Sequence, residues 1–199
     1  MSDAAPPFFV SESDPPARRR ILEEALRLFA TKGFAATSIR DIAAATGFTN
    51  PALYRHFAGK EQLALHLFEV CYGNLAGRLH YAVGAREFDD ALSTFVRAFL
   101  VAAEEQPDAV SWVLENLQAF WPQLPAPRRP RSLVAVVREL LQRGVEAGRV
   151  RPELLPEVGA IVVLGTLGQL VRMWMLGGVS EPPTRYERSL VETLQRALA

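Results

Sequence analysis

Between Thr37 and Lys60 the chain carries side chains that suit the grooves and phosphates of a duplex better than they suit bond-making chemistry. Asn50 offers a carboxamide that pairs with a base edge in bidentate fashion, best with adenine, and Pro51 and Ala52 offer apolar surface to a thymine methyl. Tyr54 and His56 extend the same row, with His56 better placed to prop a helix or meet a phosphate than to read a base. Catalytic and metal chemistry are poorly provided for. The chain has three histidines, one cysteine and no recognisable nucleophile–base pair or carboxylate cluster, and His66 and His80 stand fourteen residues apart, far from a chelating pitch. With Cys71 alone, an intrachain disulfide and a multi-cysteine zinc site are excluded, and the thiol reads as a small buried hydrophobe rather than a redox sensor. No enzyme activity, cofactor or metal is expected.

The elements that must position these groups are short helices. Ile42, Ala43 and Ala45 recur at helical spacing behind a hydroxyl cap, Thr37 or Ser38, and Asp41 adds a carboxylate where the helix dipole favours one. Gly47 supplies the left-handed backbone that ends this helix and turns the chain, Phe48 fills the angle, and Thr49 caps the next helix with Pro51 in its first turn. Leu53 and Phe57 then face inward, which leaves Asn50, Ala52, Tyr54 and His56 outside. The pattern is a helix-turn-helix, a reader of DNA.

Further matches widen the pattern. Ala25, Leu28-Phe29 and Gly33-Phe34 precede it, and Thr37, Ile42-Ala43, Gly47, Leu53-Tyr54, His56-Phe57 and Lys60-Glu61 follow in register. On these residues the run from about Arg20 to Leu65 resembles the DNA-binding domain of the TetR family of bacterial transcriptional regulators. The resemblance implies that Arg40 reaches DNA, where it suits guanine O6/N7, the alternative being a surface ion pair to Asp41 or Glu61. It implies phosphate contacts for Thr37, Thr49, Tyr54 and Lys60, with Ser38 in the same candidate set. It also implies that the helix beginning at Lys60 carries an effector signal to the DNA head. Two positions depart from the family: Pro51, where glycine is frequent, and Gly59, where Ser, Asn or Asp is usual. Gly59 should weaken the cap by only about a few tenths of a kcal/mol.

The formal charge of zero hides a segregation that fits this reading. Residues 1–17 carry three acidic groups and no base, residues 18–60 carry eight basic against three acidic groups, and residues 61–199 carry fourteen basic against sixteen acidic ones. Positive charge is concentrated on the segment with the reading helix, as phosphate neutralisation requires. Almost half of the 199 residues are hydrophobic, enough for a sizeable core. Residues 1–16, broken by Pro6-Pro7 and Pro15-Pro16, read as a disordered arm without the basic-then-apolar pattern of a signal peptide. Arg18-Arg19-Arg20 opens the first helix, touching phosphate or simply solvated.

Prolines and glycines divide the chain into predicted helices at 18–32, 38–46, 50–57, 60–82, 88–105, 108–121, 128–147, 153–176 and 184–198, with no strand alternation. The expected fold is all-α: an arm at 1–16, a three-helix DNA-binding head at 17–64, and a helical effector-binding and dimerisation body at 65–199. The apolar stretch from Val158 to Val171 is too short to span a bilayer and reads as a buried helix, so a soluble, cytoplasmic protein with no membrane partner is expected.

One short helix reads only a few base pairs, so specificity calls for two copies about 34–36 Å apart and hence for a symmetric dimer. Ile161, Leu164, Gly165, Gly168 and Val171, then Leu190, Leu194 and Leu198, mark the last two helices as its interface, the alternative being core within one subunit. By position, the resemblance implies that these helices pair as a four-helix bundle. Large apolar side chains with a few uncharged polar ones, Phe68, Tyr72, Phe95, Phe99, Trp112, Asn116, Phe120, Thr166, Gln169 and Met173, are the candidate lining of a small-molecule site for an apolar or aromatic effector. The expected function is a homodimeric repressor that binds a pseudo-palindromic DNA operator and is released by a small, largely apolar effector. The rival readings are an effector-independent dimeric DNA-binding or architectural protein and, remotely, a helical enzyme.

Overall fold

The computed structural model describes residues 9–11, 13–126 and 132–199. Its regular elements are all helical: α1 (Pro16–Lys32), α2 (Ile39–Thr46), α3 (Asn50–Tyr54), α4 (Lys60–Val83), α5 (Phe88–Glu105), α6 (Pro107–Phe120), α7 (Leu133–Glu146), α8 (Pro156–Met175) and α9 (Glu187–Leu198), with 3-10 turns at Trp121–Gln123 and Pro183–Tyr186. The expected all-α class holds among the described residues.

Several predicted bounds move for local reasons. The first helix starts at Pro16, a position that tolerates a missing amide proton. The described part of the expected disordered arm is instead folded against it. Ser11 N–H donates to Asp14 Oδ2 at 2.8 Å, Asp14 N–H donates back to the Ser11 carbonyl at 3.0 Å, and Phe9 is buried. Residues 1–8 of that arm lie outside the described residues, as does the predicted start of a helix at 128. There the helix is described from Leu133, behind Ser132, whose hydroxyl accepts from the Ala135 amide at 3.1 Å.

The chain forms two compact units. The first holds the described residues up to Asn74 together with Asp108–Leu124; the second holds Leu75–Pro107 and the described residues from Pro125 onward. α6, read from sequence as part of the body, thus belongs to the unit that contains the helix-turn-helix, and aromatic packing is the physical reason. Trp112 of α6 stacks on Phe29 of α1 with ring centroids 5.0 Å apart, and Phe120 meets Phe34 edge-on at 5.9 Å. α4 runs through both units and buries Leu63, Leu67, Phe68, Cys71, Leu75 and Leu79 in succession.

In the second unit α5 is buried along Leu92, Phe95, Val96, Phe99 and Leu100, and α7 along Val136, Val137, Leu140 and Leu141. Gly144 of α7 lies so close to its neighbours that a Cβ there would stand 2.5 Å from Val150 and 2.7 Å from Phe88; only glycine fits. The end of α9 is closed by Arg151, whose amide donates to the Leu198 carbonyl at 3.0 Å and whose guanidinium donates to that of Ala197 at 2.7 Å.

α8 corrects the expectation that the apolar stretch from Val158 to Val171 is a buried helix. It runs for 20 residues and is long and apolar enough to cross a membrane by length and composition, yet it buries only one face, through Ala160, Val163, Leu167 and Val171. Its opposite face leaves Ile161 70% and Leu176 85% exposed, with Val158 and Met173 also uncovered.

Candidate nucleic-acid interface

The helix-turn-helix is fixed from its first cap. Ser38, rather than Thr37, is the N-cap of α2: its hydroxyl accepts from the Asp41 amide at 3.2 Å, while Asp41 Oδ2 accepts from the Ser38 amide at 2.7 Å and from the Ser38 hydroxyl at 2.6 Å. Those bonds, with Lys32 Nζ donating to Asp41 Oδ1 at 3.0 Å, hold the Asp41 carboxyl well below the usual carboxylate range. Gly47 closes α2 in the left-handed region at φ 75°, the role its sequence position predicts. Leu53 and Phe57 are buried as expected.

α3 stops at Tyr54, three residues before its predicted end, because the chain tightens there: the His56 amide donates to the Leu53 carbonyl at 2.9 Å and Phe57 turns into the core. Thr49 holds the N-cap position but makes no side-chain cap bond, so its exposed hydroxyl is not spent on the helix. At the start of α4, where Gly59 offers no hydroxyl, Gln62 Oε1 accepts from the Ala58 amide and closes the turn from the other side.

An open cleft of about 660 Å³ lies in this unit, lined by Ala35, Ala36, Thr37, Ser38, Ile39, Arg40, Asn50, Tyr54 and Lys60. It gathers most of the candidate DNA-contacting side chains into one concave surface. Arg40 and Tyr54 are exposed and Asn50 is half-buried. Of the two alternative partners of Arg40, Asp41 and Glu61, Asp41 is held by Ser38 and Lys32 instead. Pro51 is exposed beside the cleft, and Ala52 and His56 are half-buried. Thr37 differs from the others: it is 1% exposed, and its hydroxyl donates to the Gly33 carbonyl at 2.8 Å, so it ties the exit of α1 and turns no hydroxyl toward a phosphate.

Two cations serve the frame. Lys60 lies 4.4 Å over the Phe34 ring and donates to the Phe34 carbonyl at 3.0 Å. Arg18 lies 4.4 Å over the Phe57 ring, donates to the His56 carbonyl at 3.5 Å, bonds His66 Nε2 at 3.0 Å and pairs with Asp14 at 3.2 Å. It is therefore committed to the end of the reading-helix turn, a third outcome beside the phosphate contact and the simple solvation that its position suggests. The i,i+4 spacing of Asp14 and Arg18 was the signal available for this brace.

Residues 21–67, nearly the segment singled out by its motif, match the family model described as "Bacterial regulatory proteins, tetR family". The chain is 30% identical over 157 residues to the HTH-type transcriptional repressor Rv1474c of Mycobacterium tuberculosis, covering 75% of this chain and 78% of that protein. The chain belongs to the TetR family. It is 26% identical over 188 residues to the HTH-type transcriptional regulator AcrR of Shigella flexneri, covering 89% and 86% of the two chains. A bacterial regulatory protein in the TetR family from Rhodococcus RHA1 shares the fold, with a TM-score of 0.82 over 94% of this chain and 98% of that one at 22% identity. This TetR-family chain is accordingly a transcriptional regulator, not an enzyme.

The remaining candidate residues of this regulator divide between its units. Phe68, Tyr72, Trp112 and Phe120 form a continuous aromatic cluster in the first unit, with Phe68 5.6 Å from Phe120 and 5.7 Å from Tyr72; half-buried Asn116 donates to the Trp112 carbonyl at 3.0 Å. Phe95, Phe99, Thr166, Gln169 and Met173 belong to the second unit, where Phe95 and Phe99 are buried, Thr166 is half-buried, and Gln169 and Met173 are exposed. The dimer candidates also split. Val171, Gly168, Leu194 and Leu198 are core within one chain, Leu164 and Leu190 are half-buried, and Ile161 and Gly165 face outward with open space around Gly165. Burial pushes the Cys71 thiol far above its usual range, in keeping with a packing role.

Proposed function

We propose that this regulator binds a pseudo-palindromic operator as a homodimer, represses transcription from it, and is released by a small, largely apolar effector. The observation that carries the reading is the cleft around the start of α3, which brings Ser38, Arg40, Asn50, Tyr54 and Lys60 together on one concave surface. Asn50 and Arg40 are its base readers, with Pro51 and Ala52 against thymine methyls. Tyr54, Lys60, Ser38 and the unspent hydroxyl of Thr49 meet phosphate, and His56 supports the turn behind them.

DNA binding is assigned to residues 17–64, and effector binding and dimerisation to 65–199. Repression is supported by the relative whose name describes a repressor. The exposed apolar face of α8 supports dimerisation, because a second copy would remove Ile161, Val158, Met173 and Leu176 from water. Work on operator DNA places the protein in the cytoplasm.

The test is selection of binding sites from a random DNA library with purified protein, repeated at two salt concentrations. The expected product is a pseudo-palindrome with half-sites about one helical turn apart. Binding that is salt-sensitive but sequence-blind would overturn the operator reading in favour of an architectural protein.

A further inference from the structure

One polar group in the first unit has no partner. The indole N–H of Trp112 is buried with no acceptor among the described residues, and the side chain is only 1% exposed. A donor in this position loses its bond to water and receives nothing in return, a cost that folded proteins rarely carry without a role for the group. Around the Trp112 ring lie other aromatic rings, with centroids at 5.0 Å for the nearly parallel Phe29, 5.6 Å for Phe120 and 6.0 Å for Phe34. The cluster continues through Phe68 and Tyr72 to Trp121, which is half-exposed on the 3-10 turn and forms its solvent edge.

We propose that the Trp112 N–H is the polar anchor of the effector, and that the effector is a flat, neutral aromatic molecule bearing a carbonyl-type acceptor. This rests on the reading of the protein as an effector-released regulator and narrows the effector's chemistry. The walls are rings, which favour a planar partner that stacks among them. The orphan group donates only, so the ligand must accept. A carboxylate is disfavoured, because among the described residues the ammonium that lies on these rings, that of Lys60 over Phe34, is already bonded to the Phe34 carbonyl.

The same packing gives a short route to the DNA surface. Trp112 touches Phe34, and Phe34 holds Lys60 through both its ring and its carbonyl. A ligand that inserts among the rings to reach the N–H displaces Phe34 and loosens Lys60 at the edge of the cleft.

9-Fluorenone and fluorene test this directly, since they share a three-ring frame and differ by one carbonyl. The full chain, with its tryptophan indoles labelled with ¹⁵N, is titrated with each compound while affinity for the selected operator is followed. Fluorenone is expected to bind about tenfold more tightly than fluorene, the effect of one added hydrogen bond to a waiting donor. It should move the Trp112 indole proton signal downfield and weaken operator binding, and Trp112→Phe should bind the two compounds alike. Equal binding of both by the unaltered protein, binding of neither, or a preference that survives in Trp112→Phe overturns the proposal. Should Trp112→Phe fail to fold, the indole signal of the unaltered protein decides alone. Decanoate serves as a non-aromatic control: if it weakens operator binding while the aromatic pair does nothing, the effector class proposed here falls and the effector-released regulator stands. If none of the three compounds changes operator affinity, both readings lose their support.

Discussion

The cleft around the start of α3 and the outer stripe of α8 are both surfaces that a single chain leaves uncovered, and they are chemical opposites. The cleft presents a carboxamide, a guanidinium and hydroxyls on a backbone made rigid by the Ser38–Asp41 capping box and the Gly47 turn. The stripe presents Val158, Ile161, Met173 and Leu176, with Arg172 the charged group exposed among them. Exposed polar groups cost nothing in water, so the cleft's case for a partner lies in convergence of shape and donor type. Exposed large apolar groups do cost, so the stripe's case lies in the water it orders. One surface is expected to bind the salt-sensitive partner and the other the salt-tolerant one.

The sharpest way to break this comparison is to charge the stripe. Ile161→Asp places a carboxylate on the face that the proposed second copy would bury, and its desolvation should cost the interface several kcal/mol. The single chain should fold as before, because Ile161 contributes nothing to its core. Sedimentation should show monomer, and operator affinity should fall by roughly a hundredfold or more, since the two reading helices are no longer tied together. A variant that stayed dimeric at unchanged affinity would remove α8 from the interface.

The second test works within the cleft. Arg40→Ala or Asn50→Ala should weaken operator binding by ~1–3 kcal/mol and relax base preference at one position in each half-site. The structure strengthens the case for Arg40, because Asp41 is engaged by Ser38 and Lys32. A base-substitution panel with the same preferences as the unaltered protein would show that these side chains are not the readers.

How much of this was legible in the sequence follows from the same contrast. The head could be read residue by residue because its constraints are local. A capping hydroxyl at Thr37 or Ser38, a glycine at the turn and apolar positions at helical spacing each act within a few residues, and the structure returns them at Ser38, Gly47, Leu53 and Phe57. Where the reading failed within the head, a tertiary contact intervened, four residues back for Thr37 and nearly forty residues on for Arg18. Thr37 was assigned a phosphate but bonds the exit of α1, and Arg18 was left between phosphate and solvent but lies over Phe57. Farther along the chain periodicity identified helices without saying what covers each face. Val171, Leu194 and Leu198 share the apolar character of Ile161 and are core, because the partner of an amphipathic face is set by tertiary packing. α6 shows the same limit: nothing local in Trp112 or Phe120 announces that they pack with Phe29 and Phe34.

Lys60 sharpens the boundary between frame and surface. Its ammonium is bonded to the Phe34 carbonyl and stacked on the ring, yet it also lines the cleft. Lys60→Ala should weaken binding to all sequences alike and reduce the slope of log affinity against log salt by about one phosphate contact. Loss of stability with an unchanged salt slope would assign Lys60 wholly to the frame.

The smallest expected effect lies in the cap behind the cleft. Ser38→Ala removes the hydroxyl that accepts from the Asp41 amide and donates to its carboxylate, and should lower stability by about 1 kcal/mol at neutral pH. The pH dependence carries a definite sign. Asp41 binds its proton less readily in the folded chain than in the unfolded one, so its contribution is complete above the ordinary carboxylate range and fades as pH falls through that range toward the lowered native value. The gap between the two proteins should therefore be widest near neutrality and narrow below about pH 4. Denaturant melts across that range measure it. A gap constant with pH would mean that the Ser38 hydroxyl serves the helix amides alone, and that Lys32 and the Ser38 amide suffice to hold the Asp41 carboxylate.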